Sequence, residues 1–507
     1  MRKHTQLIKS ISLILSAVMI ILIFASCSAP MGGGMSYDSA APNMNGAQLS
    51  GEGYTEITEN PFIDTNQNNE SYFSIDKNTA SYPNLRSMIN SEYYYFNEDA
   101  VRAEEMINYF SYDYDAPEGD DILALNAAIF NTPYNPETKL LTIGLKAEEI
   151  EFSDIKNNLV FLIDVSGSMS DSDKLPLVQQ AFMMLTEALN PDDRVSIVTY
   201  AGSDKVVLEG AKGSEKTKIM QAIEDLSAAG STAGSRGIYT AYEIAEKYFI
   251  QGGNNRVILA TDGDFNVGTV TSAGLETLIS AKRASGVFFS VYGFGRGNIQ
   301  SDKMETLALK GNGNYSYIDS VNEARRALVD DIGGSLVTVA KDVKAGITFN
   351  PEFVESYRLI GYENKLLTEE EFNDSSTDAG ELGSGHTITV VYEIKMRDDV
   401  VFMIESVETI ADVKIKYKPT ENVGGDANTE QELTLSVMNY DFYGNPSDEN
   451  IFVASVIEFA LILRNSEYKA DSDINKLIER LGSLDLANDP FKAEFRELVI
   501  KYSQKQQ

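Results

Sequence analysis

The chain has 507 residues, 43% of them hydrophobic, and a formal net charge of −34. That length suggests roughly two to four domains, and the acidic balance argues against nucleic acid and anionic membrane surfaces as partners, since phosphate contacts need clustered Lys and Arg. Two histidines, His4 and His386, and one cysteine, Cys27, exclude a zinc site built on His and Cys.

Arg2, Lys3 and Lys9 form a basic start, and Ile11 to Phe24 is almost wholly apolar. This is the pattern of a secretory signal peptide over 1–27, too short for a comfortable membrane span. Phe24-Ala25-Ser26-Cys27 resembles a bacterial lipobox; the resemblance implies cleavage before Cys27 and lipidation of its thiol. The expected location is therefore extracytoplasmic, on a lipid anchor. Ser28 stands where an aspartate is associated with inner-membrane retention.

Residues 28–60 are rich in Gly, Ser, Asn, Ala and Met, too poor in apolar surface to fold, and read as a flexible tether. Residues 61–118 carry a dense aromatic set, Tyr93-Tyr94-Tyr95-Phe96 and Tyr109-Phe110-Ser111-Tyr112, expected as the core of a small domain. Asn97-Glu98-Asp99 is expected to cap a helix running to about Phe110. Asp64-Thr65-Asn66-Gln67-Asn68 hints at a calcium loop, but Asn69 and Ile75 replace its turn glycine and bidentate Glu.

Leu141, Ile143 and Leu145 alternate as in a strand, and alternation returns at Ile388–Ile394, Val413–Tyr417 and Leu433–Val437. These segments predict a β-sandwich from 119–155 and 341–445, interrupted by an inserted domain. Between them, over 156–340, strands are expected at Leu159–Ile163, Val195–Tyr200, Val257–Ala260 and Val287–Gly293. A helix carries Leu175, Val178, Phe182, Leu185 and Leu189 and stops at Asn190-Pro191. Further helices fit 215–226, 236–249, 272–284 and 321–331. This alternation predicts an α/β domain with a doubly wound, mostly parallel sheet, whose ligands bind beyond the carboxyl ends of the strands. Residues 446–507 turn helical, with stripes at Phe452, Val456, Phe459, Ala460 and Leu463 and at Phe491, Phe495, Leu498 and Tyr502.

The run Leu159–Ile163 ends in Asp164, Ser166 and Ser168 at alternate positions. These are hard oxygen ligands suited to Mg²⁺ or Mn²⁺. Gly230-Ser231-Thr232-Ala233-Gly234 offers a third hydroxyl in a loop before a helix, and Leu259-Ala260-Thr261-Asp262 ends another strand in a carboxylate. Asp164, Ser166, Ser168, Thr232 and Asp262, in this order at strand ends, resemble the metal-ion-dependent adhesion site of the von Willebrand factor type A (VWA) domain. The resemblance implies direct contacts from Ser166, Ser168 and Thr232 to Mg²⁺ (or Mn²⁺ or Ca²⁺), with Asp164 and Asp262 binding directly or through water. It also implies a protein partner that supplies an Asp or Glu carboxylate. Asp171 and Asp173 sit where some relatives hold a second cation, with Ser172 interrupting the pair.

Tyr72-Phe73-Ser74-Ile75-Asp76, Thr79-Ala80-Ser81-Tyr82, Tyr357–Asn364, Asp378-Ala379-Gly380-Glu381 and Gly385-His386 look like bacterial YfbK-type lipoproteins. No G-x-S-x-G or phosphate loop is present. S-x-x-K at Ser74/Lys77, Ser153/Lys156 and Ser466/Lys469 lacks the S-D-N and K-T-G that would give it meaning. A clamp is expected, not an enzyme. The alternative is a structural envelope scaffold in which the metal only stabilises the α/β domain.

Overall fold

The computed structural model describes residues 53–92, 96–150, 155–230, 235–263, 272–296, 300–397, 407–424, 426, 429–444 and 446–506. The expected signal peptide, most of the tether, Cys27, Tyr93–Tyr95 and Thr232 lie outside the described residues.

The segment expected as a small N-terminal domain is divided between two cores. Its strands β1 (Ile63–Asp64) and β2 (Glu70–Ser74) join sheets made mostly by residues far downstream. Its helices α1 (Ser81–Asn90) and α2 (Ala103–Asn108) pack elsewhere. The Asp64–Asn68 run closes on itself: Asp64 Oδ1 accepts from the backbone and side-chain amides of Asn66 at 2.8 and 3.0 Å. Asn97 caps a 3₁₀ turn over 98–100 and not the helix to Phe110, accepting from the Asp99 amide. Val101 and Arg102 then run extended. The Arg102 amide donates to Ser81 Oγ, whose hydroxyl donates to the Ala100 carbonyl, and this tie to α1 takes the place of helical bonds.

The hairpin β3 (Leu123–Asn131) and β4 (Lys139–Ala147) leads into the α/β domain. Its elements follow as β5 (Asn157–Asp164), α3 (Leu175–Ala188), β6 (Arg194–Tyr200), β7 (Asp204–Lys212), α4 (Lys216–Glu224), α5 (Ser235–Lys247) and β8 (Asn254–Thr261), then α6 (Ser272–Arg283), β9 (Val287–Phe294), α7 (Ser301–Lys310) and β10 (Tyr315–Ile318). The sheet runs β10-β9-β8-β5-β6-β7, parallel except for the edge strand β7. Every residue of β5 and β8 is buried, and their middles carry the apolar runs Leu159–Ile163 and Val257–Ala260. Side chains alternate between faces. Phe161 and Ile163 pack with α3 and α4, with Phe161 stacked on Phe182 at 4.4 Å, while Val160 and Leu162 pack with α5, α6 and α7. The chain first builds outward from β5 to β6 and then crosses to place β8 on the other side. The strand order therefore reverses between β5 and β8, where a crevice opens at the carboxyl ends.

The helix expected over 321–331 is broken into α8 (Val321–Arg325), capped by Ser320 Oγ, a π turn over 326–330, and α9 (Ile332–Leu336). The remaining strands are β11 (Thr338–Phe349), β12 (Val354–Ile360), β13 (Gly380–Gly383), β14 (Thr387–Met396), β15 (Thr409–Pro419), β16 (Gln431–Met438) and β17 (Phe442–Tyr443), with α10 (Glu369–Asn373) after β12. They complete two further sheets, β1-β12-β14-β4-β3-β17 and β13-β11-β15-β16, with β2 also on β11. The two sheets share one apolar core that includes Phe73, Ile143, Ile347, Tyr357, Tyr392 and Val413.

The chain ends in α11 (Asp448–Leu463), α12 (Ile474–Gly482) and α13 (Pro490–Lys505). α11 is apolar nearly all round and must be covered on several sides. α1 and the turn just after α2 supply part of that cover: Tyr82 and Phe110 join Phe452, Phe459 and Phe495 in one cluster. Among the described residues, those of 61–118 thus form no core of their own: Tyr82, Tyr109, Phe110 and Tyr112 complete that of helices more than 300 residues away, and Phe73 joins the core of the two sheets.

Candidate metal centre

Asp164 is the last residue of β5, and the chain turns sharply after it. Its Oδ1 accepts from the Ser166 amide at 2.8 Å, and Thr261 Oγ1 lies 3.4 Å from its Oδ2. That turn brings the hydroxyls of Ser166 and Ser168 within 3.0 Å of each other. Asp164 and Ser166 are buried, and Ser168 is half-buried. Two backbone bonds stitch this turn to the loop leading toward Thr232: the Ala229 amide donates to the Val165 carbonyl at 2.7 Å, and the Gly167 amide to the Gly230 carbonyl at 3.1 Å. Gly230 holds a φ of +93° there, a conformation that favours glycine. Thr232 itself is outside the described residues; Gly230 is the last described residue before it.

Asp262 follows β8, the neighbour of β5, and is buried. Its Oδ2 accepts from Lys174 Nζ at 2.9 Å. Burial pushes the Asp164 carboxyl up to about 6; the Ser166 hydrogen bonds pull it down and the Asp262 charge pushes it up. The Tyr200 hydroxyl lies beside Asp164 and is itself pushed up by burial and by that carboxylate. A divalent ion between the carboxylates would reverse this logic by favouring both anions.

Asp164, Ser166, Ser168 and Asp262 offer only oxygen, two carboxylates and two hydroxyls, a donor type that suits Mg²⁺, and they stand past the carboxyl ends of two adjacent parallel strands. Among the described residues no group of three or more His, Cys, Asp and Glu gathers as a metal site. Asp171 is exposed, and its backbone carbonyl accepts from the Lys174 amide. His386 is buried far along the chain: its Nδ1 accepts from the Gly383 amide and its Nε2 lies 3.6 Å from Asp331, a turn-holding role. Sequence reading missed Lys174, Thr261 and Tyr200. Thr261 precedes Asp262 on one strand and was legible as a neighbour; Lys174 carried no local signal. Beside the turn a groove of about 660 Å³ runs between β7 and α4, lined by Val165, Lys205, Leu208, Lys218 and Ala229.

Family models match in three places: "von Willebrand factor" over residues 48–142, "von Willebrand factor type A domain" over 158–330, and "Uncharacterized protein YfbK, C-terminal" over 334–504. Uncharacterized protein YfbK of Escherichia coli strain K12 is 37% identical over 469 residues, covering 88% of this chain and 80% of that protein. An uncharacterized protein of Synechocystis is 32% identical over 171 residues, 33% of this chain and 39% of its own. Among solved structures, a von Willebrand factor type A protein from Catenulispora acidiphila covers 78% of this chain and 89% of its own, at 17% identity and a TM-score of 0.40. The type A model spans β5 to the π turn, the same stretch that carries Asp164, Ser166, Ser168 and Asp262. The chain belongs to the YfbK family of proteins with a von Willebrand factor type A domain.

Proposed function

We propose that this protein is a cell-envelope lipoprotein, anchored through a lipid on Cys27, whose VWA domain binds a protein partner through Mg²⁺. The observations that support the reading are that Asp164 and Asp262 stand at the carboxyl ends of adjacent parallel strands, that the Ser166 and Ser168 hydroxyls lie 3.0 Å apart just past Asp164, and that this turn is tied by backbone bonds to Ala229 and Gly230. Neutral hydroxyls among the ligands leave a divalent ion incompletely neutralised, so it attracts an Asp or Glu from the partner; Mg²⁺ also keeps exchangeable waters. The groove beside Val165 and Ala229 offers the partner chain a place to lie. In the same reading the two outer sheets are one β-sandwich interrupted by the VWA domain. In this reading the protein is a binding module and not an enzyme.

The test is a pull-down from envelope extract with wild type in Mg²⁺, wild type in EDTA, and Asp164→Ala. The reading expects partners in the first alone; identical sets in all three would sink it. The buried ionic network joining the domain's last segment to α1 and α13 favours a second reading, a scaffold in which metal only stabilises the fold. It expects Thr232→Ala to lower the melting temperature and leave every complex intact.

A further inference from the structure

Lys174 is an unusual neighbour for a cation site. It sits at the start of α3, its side chain 6% exposed, with its ammonium 2.9 Å from Asp262 Oδ2. Its aliphatic stem is held in place. Gly295, at a φ of +70°, presents bare backbone to it, and a Cβ there would fall 2.3 Å from Lys174 Cγ. Gly295 is fixed in turn, because its carbonyl accepts from the Tyr317 hydroxyl at 3.0 Å. A flexible chain with large rotamer entropy is thus confined so that one positive charge rests on one carboxylate of the site. Burial of a lysine costs free energy unless it is paired, and here the pairing is with a metal-site residue.

Charge arithmetic shows what this does. Asp164 and Asp262 alone would neutralise a divalent ion fully. With Lys174 these three charges sum to one negative, and adding a divalent ion makes the four net positive. We propose that Lys174 is an internal counter-cation that weakens the centre's hold on the metal and in exchange makes the bound ion demand an anionic ligand, a carboxylate, in place of water. This rests on the metal reading above and deepens it: the anion preference is set by a lysine of this chain in addition to the neutral hydroxyls. Like charges a few ångströms apart in a buried site repel strongly enough for at least roughly a tenfold effect on cation affinity.

The experiment uses the full chain, Mn²⁺ as the metal and acetate as the carboxylate probe. Free Mn²⁺ is read by its electron spin resonance, and the water left on bound Mn²⁺ by proton relaxation. Lys174→Met keeps the stem and removes the charge; Lys174→Gln serves if the methionine variant does not fold, and Lys174→Arg keeps the charge. The neutral variants are expected to bind Mn²⁺ at least tenfold tighter than wild type, and to need at least tenfold more acetate to displace the bound water. Their metal-free form should melt lower than wild type, since Asp262 loses its partner, and gain more from Mn²⁺. Lys174→Arg should stay near wild type. Equal or weaker Mn²⁺ binding in a folded neutral variant, or unchanged acetate demand, overturns the role of Lys174 while leaving the metal site standing. Absence of Mn²⁺ binding in wild type overturns both, and is a distinct result.

Discussion

Arg86 is the side chain on which three parts of the molecule meet, and Arg86→Met measures how firmly they are joined. From α1 its guanidinium donates to both Asp319 oxygens at 2.8 and 2.5 Å, to Glu323 at 2.8 Å, to Glu494 of α13 at 3.1 Å, and to the Tyr109 hydroxyl at 3.0 Å. Arg86, Asp319 and Glu323 are almost inaccessible, with side-chain exposures of 4%, 6% and 0%. Glu323 keeps a second cation, Arg326, at 2.6 Å and the Tyr109 hydroxyl at 2.7 Å, whereas Asp319 loses the guanidinium that holds it. Removing one partner of a buried ion pair costs about 3–5 kcal/mol, because the remaining charge stays buried. Most of that loss falls on Asp319, since Glu323 keeps Arg326 and Tyr109. The expected outcome is a loss of about 3–5 kcal/mol at pH 7 by urea denaturation, with half or more recovered in Arg86→Met/Asp319→Asn. The pH dependence has a definite sign. Arg326 and Arg86 hold the Glu323 carboxyl below its usual range against burial, so its stabilising effect is present above its unfolded pKa and is lost as pH falls through the folded one. The gap between wild type and Arg86→Met should narrow in acid as both carboxyls protonate. A loss under about 1 kcal/mol, or a double variant whose loss equals the sum of the single losses, would refute the reasoning.

Burial pushes the Glu381 carboxyl up to about 8, and its inaccessible Oε2 takes no hydrogen bond. A raised carboxyl contributes stability below its unfolded pKa that is lost as pH rises toward the folded one. Glu381→Gln should therefore equal wild type near pH 4 and exceed it by roughly 1–3 kcal/mol at pH 8.5, read by thermal melts at both pH values; no gain at pH 8.5 contradicts this. Phe495 is fully buried between Phe110, Phe452 and Phe459, with ring centroids 5.4–5.6 Å away. Phe495→Ala should cost about 3–5 kcal/mol, and limited proteolysis should then cut α1–α2 and α11–α13 together, since they share one core. Cutting of the C-terminal helices alone would mean that the N-terminal helices hold without them.

The α/β domain was legible because its physics is local. β5 and β8 are buried on both faces and announce themselves by the apolar runs Leu159–Ile163 and Val257–Ala260, and α3 shows its stripe and its stop at Asn190-Pro191. The proposed metal-site residues Asp164, Ser166, Ser168 and Asp262 drew attention in the sequence because they stand at or just past the ends of those runs. β7 was not: an edge strand exposed on one side, with Lys205, Glu209 and Gly210 among its residues, lacks a clean alternation. The break of the 321–331 helix into a π turn has no mark in its periodicity. The larger miss, the division of residues 61–118 between two cores, arises from contacts such as Phe110 with Phe495 and β2 with β11, far apart in sequence and without local signature. Lys174 was invisible for the same reason: its partner Asp262 is 88 residues away.

The central claim is a divalent-metal site made of Asp164, Ser166, Ser168, Thr232 and Asp262, and calorimetric titration of the full chain with Mg²⁺ tests it most directly. The account predicts one site, abolished in Asp164→Ala and weakened at least roughly tenfold in Ser166→Ala by loss of a ligand, with both variants folded. Binding that is absent in wild type, or that survives unchanged in both variants, would contradict it.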